Sequence, residues 1–326
     1  MKETMVFGRQ TTRIGFGCGS LMQLSRSVDR KNLLAAAYDL GIRYFDVAPM
    51  YGLGKVEGEL GHFLQGKRDQ VTLATKFGIV PHKSVQKLSW FQPMVRALFA
   101  SFPALKEKVK QVVGAQIYYK PDYNIKSAKQ SFENSLHELR TDHIDILLLH
   151  EPSINNIFTA ELQQWLESLR SSQAIKGYGV AGYMDDILPV ITQHPWLGQI
   201  VQIDNNAVQR QIFHLDHQDQ RTVITFSAMS RVYLQILHYL TMHPDLKKAW
   251  SELTDADFYQ PETVAYFLLS YALSTNPFGI ILFSTTHHQH LAQIVRWTEA
   301  PRVPAEALTK FMELLDNISL VNQVSQ

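Results

Sequence analysis

The stretch "DHIDILLLHEP" (142–152) decides the fold. From Ile144 to Leu149 it is apolar at nearly every position, the pattern of a strand buried on both faces, one against a barrel interior and one against helices. Outward from it the same form recurs in "VTLATK" (71–76) and "GIILF" (279–283), each separated from the next by longer segments with helical apolar spacing. Eight strands are predicted, roughly at Arg13–Gly17, Ile42–Val47, Val71–Lys76, Ile144–Leu149, Gly177–Ala181, Ile200–Asp204, Thr222–Ser227 and Gly279–Ser284. Helices are predicted at Lys31–Leu40, Val56–Leu64, Ser127–Arg140, Thr159–Ser171 and 303–317, with Asp29 and Thr159 as N-caps. Repeated βα units of this kind predict an α/β fold, a (β/α)8 TIM barrel with parallel strands rather than a meander.

The chain has 326 residues, and no low-complexity linker divides it, so a single barrel domain over 1–326 is expected. One segment breaks the rhythm. Between strand three and the helix before strand four lies an insertion, 78–124, far longer than an ordinary βα connection. Its portion "WFQPMVRALFASFPALKEKVKQVV" (90–113) has helical spacing, predicting short helices above the barrel mouth as either a decoration or a substrate-covering lid.

A hydrophobic content of 45% supplies a core, and a net charge of +1 gives no footprint for nucleic acid or acidic partners. The single cysteine, Cys18, cannot form an internal disulfide or a thiolate metal cluster, which fits a reducing compartment. No apolar signal core follows the first residues and no stretch reaches membrane-spanning length. The expectation is a cytoplasmic protein with no membrane and no nucleic-acid partner; oligomeric state stays open.

Asp46, Tyr51, Lys76 and His150 fall at or just beyond the carboxyl ends of three successive predicted strands, the rim where a parallel barrel builds its chemistry. Neighbouring strands lie ~4.8 Å apart, so side chains leaning inward from them meet over the barrel axis. Together they form a proton-donating apparatus for a carbonyl. Tyrosine is a poor acid unless a nearby cation stabilises its phenolate. Lys76 supplies that cation, Asp46 holds the lysine, and His150 orients the substrate oxygen from a neutral tautomer. Taken singly, each residue has an ordinary structural explanation; the conjunction carries the reading.

"FDVAPMYGLGKVEGELGHFL" (45–64), "TLATKFG" (72–78) and "DHIDILLLHEP" (142–152) resemble, in order, motifs of the aldo-keto reductase family. The resemblance runs from "IGFGCGSLM" (14–22) to the helix after strand eight, leaving out the insertion. It implies Tyr51 as general acid, Lys76 and Asp46 tuning it, His150 positioning the carbonyl, and an extended nicotinamide dinucleotide bound without a Gly-rich fingerprint. It further implies that Gln202 contacts the carboxamide, that Phe226 stacks on the nicotinamide, and that Ser227, Met229 and Arg231 lie along the pyrophosphate. In "ILFSTTHHQHL" (281–291), Ser284, Thr285, Thr286 and His290 fall where the adenosine 2′-phosphate is held.

Two family positions are diluted. "GVAGY" (179–183) puts Ala181 and Gly182 where a serine and an asparagine usually stand, and Ser284 and His290 replace a lysine and an arginine. NADP(H) is favoured and NAD(H) stays open. No metal is expected, since "HHQH" (287–290) has no acidic or cysteine partner at ligand spacing. The partner is a small carbonyl or alcohol, with sugars, aldehydes and ketones all open. The alternative is a non-catalytic nicotinamide-binding regulatory subunit of the same fold. A metal-dependent barrel hydrolase or isomerase would need further ligands, for which only Glu151 and Asp204 offer themselves.

Overall fold

The computed structural model describes residues 3–81, 121–216, 221–300 and 303–318. The predicted helices of the insertion, with Trp90 and Phe91, lie outside the described residues.

The chain opens with an antiparallel hairpin that the sequence reading did not include, β1 (Glu3–Val6) and β2 (Arg9–Thr12). Its two-residue turn is Phe7–Gly8, both at positive φ (48° and 75°), the geometry that matches the twist of the flanking strands. Eight strands then close a parallel barrel among the described residues: β3 (Ile14–Gly17), β4 (Tyr44–Asp46), β5 (Thr72–Phe77), β6 (Ile144–His150), β7 (Ile175–Gly182), β8 (Ile200–Asp204), β9 (Thr222–Phe226) and β10 (Ile280–Phe283), with β10 pairing back onto β3. The predicted fold class is correct.

Inside the continuous apolar strands a period of two separates the faces. Tyr44, Ala74, Ile146, Leu148, Ile200, Ile224 and Ile280 form one buried cluster, the barrel interior. Their sequence neighbours Phe45, Leu73, Leu147, Leu149, Val201 and Ile281 belong to a second cluster, which the surrounding helices cover. Val6 of the hairpin joins the interior cluster, so the hairpin plugs the amino-terminal end of the barrel. Beside it, buried Asp145 pairs with Arg9 at 3.1 Å and Arg68 at 2.9 Å and accepts the Leu73 N–H at 2.9 Å. Hairpin, β5 and β6 are tied at that end, leaving the carboxyl end open.

The helices are α1 (Ser27–Asp39), α2 (Val56–Leu64), α3 (Ile125–Leu139), α4 (Ala160–Ser171), α5 (Met184–Gln193), α6 (Ser230–Met242), α7 (Pro244–Thr254), α8 (Pro261–Thr275), α9 (His288–Glu299) and α10 (Ala305–Asp316). Thr159 caps α4 as expected, accepting the Leu162 N–H at 3.2 Å. Asp29 is not a cap: α1 starts at Ser27, and Asp29 instead takes both bonds of the Arg26 guanidinium at 2.7 Å. Trp250, Phe258, Phe267 and Phe311 join α7, α8 and α10 in a separate apolar cluster beside the barrel. That cluster holds the start of α8 near the barrel mouth. None of the described helices is long and apolar enough to cross a membrane.

Candidate active site

Asp46, Lys76, His150, Gln202 and Phe226 each stand two residues beyond an interior residue: Tyr44, Ala74, Leu148, Ile200 and Ile224. The strand period therefore lifts them as the next layer, at the barrel mouth. Register fixes their heights: Asp46 pairs with Ala74, Lys76 with Leu148, and His150 with Ala181, which pairs with Gln202. Tyr51 comes instead from the turn after β4, at Tyr51–Gly54. That turn needs three successive left-handed residues, Gly52, Leu53 and Gly54, at φ 57°, 57° and 88°. A Cβ on Gly52 would fall 2.2 Å from Met22 Cγ, so only glycine fits.

The Lys76 ammonium has three N–H donors, and all are used. Nζ lies 2.7 Å from Asp46 Oδ1, 3.1 Å from the Val47 carbonyl and 3.2 Å from the Tyr51 hydroxyl. Lys76 and Asp46 are 1% and 2% exposed, so the charge has no water to fall back on. Burial opposes that charge, but Asp46 and Tyr51 outweigh it and the lysine pKa is raised. The Tyr51 phenol is also raised: burial dominates, and the pull of Lys76 offsets it only in part. The pull of Lys76 on the phenol is in the direction the sequence reading expected, and burial outweighs it. Resting Tyr51 is held firmly as the acid form.

The His150 ring stands edge-on to Tyr51, with centroids 6.0 Å apart at 83°. Burial and the Lys76 charge push its pKa well below the ordinary range, so the imidazole is neutral. Its backbone carbonyl accepts from the Tyr123 hydroxyl, which braces the end of β6.

These side chains open into a cavity of about 730 Å³ that extends past β10 toward α6, α8 and α9. The Gln202 side chain is 3% exposed and its Oε1 has no hydrogen-bond partner, although it lines the cavity. A buried carbonyl oxygen of this kind is satisfied by a primary amide N–H. Phe226, at the end of β9, presents its ring beside Tyr183, with centroids 6.4 Å apart. Across the cavity Ser20 and Ser284 share a hydrogen bond at 2.6 Å. An amide acceptor, an aromatic wall and an extended, largely apolar cavity that carries the Ser227, Ser284 and Thr285 hydroxyls fit a nicotinamide dinucleotide.

Residues 13–316 match the family model for the aldo/keto reductase family. The chain belongs to that family. It is 29% identical over 181 residues to D-threo-aldose 1-dehydrogenase of a Pseudomonas species, covering 54% of this chain and 51% of that protein. It is 30% identical over 189 residues to pyridoxal 4-dehydrogenase of Microbacterium luteolum, covering 53% of this chain and 52% of that protein. Each match thus spans about half the length of the relative. A holo-form aldo-keto reductase from Bacillus halodurans superposes with a TM-score of 0.70 at 19% identity, covering 97% of this chain and 96% of that one, a likeness of fold.

Within this aldo-keto reductase barrel the cavity wall takes in Asp46, Tyr51, Lys76, His150, Gln202, Phe226, Ser227, Met229, Ser284, Thr285 and His290. Thr286 does not line it. Arg231 sits in the first turn of α6, and its side chain is outside the described residues. Glu151, at a left-handed backbone position of φ 53°, also lines the mouth. Asp204 has a structural task, accepting the Met184 N–H at 3.3 Å at the start of α5. Tyr233, Glu262, Gln293 and Trp297 line the cavity without any local motif to mark them. A carboxylate in the first turn of a predicted helix is too common to single out Glu262 from sequence.

Proposed function

We propose that the chain is an oxidoreductase interconverting a carbonyl, in an aldehyde, ketone or sugar, and an alcohol with a nicotinamide cofactor, NAD(P)(H). The 1–326 chain acts as one barrel domain carrying the 78–124 insertion. The observation that carries this reading is Lys76 bonded at once to Asp46 and Tyr51 beneath the cavity that His150 enters.

The cofactor, when bound, supplies or accepts the hydride. Everything else falls to the chain. Gln202 accepts from the carboxamide and Phe226 offers its ring face to the nicotinamide. Neutral His150 donates to the substrate oxygen and sets the carbonyl carbon toward the hydride position. As negative charge grows on that oxygen, Tyr51 gives up its proton. Lys76, already bonded to the phenol oxygen, stabilises the phenolate left behind, and Asp46 keeps the ammonium charged and in place. In the reverse direction the same phenolate accepts the alcohol proton. The names of two relatives, an aldose dehydrogenase and a pyridoxal dehydrogenase, support small polar carbonyls or alcohols as substrates.

A panel of aldehydes, ketones, sugars and alcohols assayed by absorbance against NADPH, NADH and their oxidised forms tests the reading. Turnover that vanishes in Tyr51→Phe supports it. Cofactor binding without any turnover across the panel would favour a regulatory nicotinamide-binding subunit instead, a role with which the small residues Ala181 and Gly182 are compatible.

A further inference from the structure

The cavity has a far end, away from Tyr51. Past Ser284 it runs between the first turns of α6 and α8 and one face of α9, where Tyr233, Glu262, Gln293 and Trp297 line it. The Trp297 indole is held against Tyr266, with ring centroids 5.8 Å apart, and Tyr266 lies one helical turn after Glu262 on α8. The Glu262 charge also reaches Tyr233, whose phenol is raised by burial and then by this carboxylate. An aromatic wall and an exposed carboxylate thus stand together at that end.

We propose that Glu262 is a specificity-determining residue that selects NAD(H) over NADP(H). Its carboxylate accepts hydrogen bonds from the adenosine ribose diol and repels a phosphate at the 2′ position. The inference rests on the proposed nicotinamide site. Because the carbonyl receives its proton at Tyr51, the nicotinamide belongs at that end, and the trough leaves the adenosine only the α8–α9 end. An acidic side chain that binds a ribose diol, against a cation that binds a 2′-phosphate, is the general chemical distinction between the two dinucleotides.

Charge in the cavity wall points the same way. Its carboxylates are Asp46, Glu151 and Glu262. Lys76 is the one lysine or arginine among the described lining residues, and its three donors are already taken. At the far end Ser284, Thr285 and His290 offer hydroxyls and an imidazole, not a guanidinium. A phosphate monoester there would bring about two negative charges beside Glu262, with no fixed cation to meet them among the described lining residues. Glu262 does have an ordinary place in the first turn of a helix, where a carboxylate complements the dipole. Its position in the cavity wall is what gives it a second task.

The test is binding, not turnover. NADH and NADPH are titrated by fluorescence, and ADP-ribose and its 2′-phosphorylated form by competition. The intact chain should bind NADH about tenfold or more tighter than NADPH, with the gap narrowing as salt is raised. Glu262→Gln should bring the two within about threefold, mainly by improving NADPH. Glu161→Gln, the same charge change in the first turn of α4, should leave the ratio unchanged. Equal or tighter binding of NADPH by the intact chain, or a ratio indifferent to Glu262→Gln, overturns the inference alone. Failure of both dinucleotides to bind overturns the nicotinamide site with it.

Discussion

Lys76 Nζ donates to the Tyr51 hydroxyl oxygen at 3.2 Å, so the phenolic proton is left to face the cavity. In the proposed mechanism, the cation that stabilises the phenolate is thus bonded to the oxygen before any proton moves. Burial meanwhile keeps the resting phenol protonated. Tyr51→Phe keeps the ring and removes the proton. Turnover should fall by a factor of about 10² to 10⁴, while the Kd for NADH or NADPH changes less than about threefold. Steady-state kinetics beside cofactor titration checks both halves.

Lys76→Met leaves the buried Asp46 carboxylate without its cation. Removing one partner of a buried pair costs about 3–5 kcal/mol, and replacing both with uncharged groups costs far less. Lys76→Met should therefore lower the urea midpoint sharply, and adding Asp46→Asn should recover much of the loss. An additive double variant would mean that the pair is not coupled.

Glu57, on α2, is buried and accepts from Thr75 Oγ1 at 2.7 Å, one residue from Lys76 on β5. Burial pushes its carboxyl from 4.5 up to about 7. The folded state then holds this proton over a range where the unfolded state has lost it. The resulting stability is fully present below about pH 4.5 and declines as pH rises through about 7. Glu57→Gln, which keeps the acceptor for Thr75, should remove about 2 kcal/mol of the loss between pH 5.5 and 8.5. Urea unfolding of both proteins at the two pH values measures this, and parallel declines would contradict it.

Asp145 separates stability from chemistry, since it ties the barrel at the end opposite the cavity. Asp145→Ala leaves the buried Leu73 N–H without its acceptor and takes the counter-charge from Arg9 and Arg68, which keep only carbonyl and hydroxyl partners, and should destabilise by about 3 kcal/mol. Below the unfolding temperature kcat/KM should stay within about twofold of the unaltered chain. A large kinetic effect would show that the two ends of the barrel are coupled.

Much of the site was legible because a strand is a local object. "IDILLL" (144–149) identifies its own burial, and counting two residues from interior positions carries Tyr44 to Asp46, Ala74 to Lys76 and Leu148 to His150. The opening hairpin was less legible, because "ETMVFGRQTT" (3–12) is short and largely polar, and only Val6 docking beneath the barrel reveals its place. Asp29 was misassigned because Arg26 and Asp29 satisfy each other within one turn, which periodicity does not detect.

By itself, then, the sequence determined the eight barrel strands and the inward layer that carries Asp46, Lys76, His150, Gln202 and Phe226, since these follow from a backbone period. Tertiary structure decided the protonation of Tyr51, the buried acid at Glu57 and the placing of Glu262 at the far end of the trough. Those depend on desolvation and charge, which are set by neighbours that only folding brings within a few ångströms.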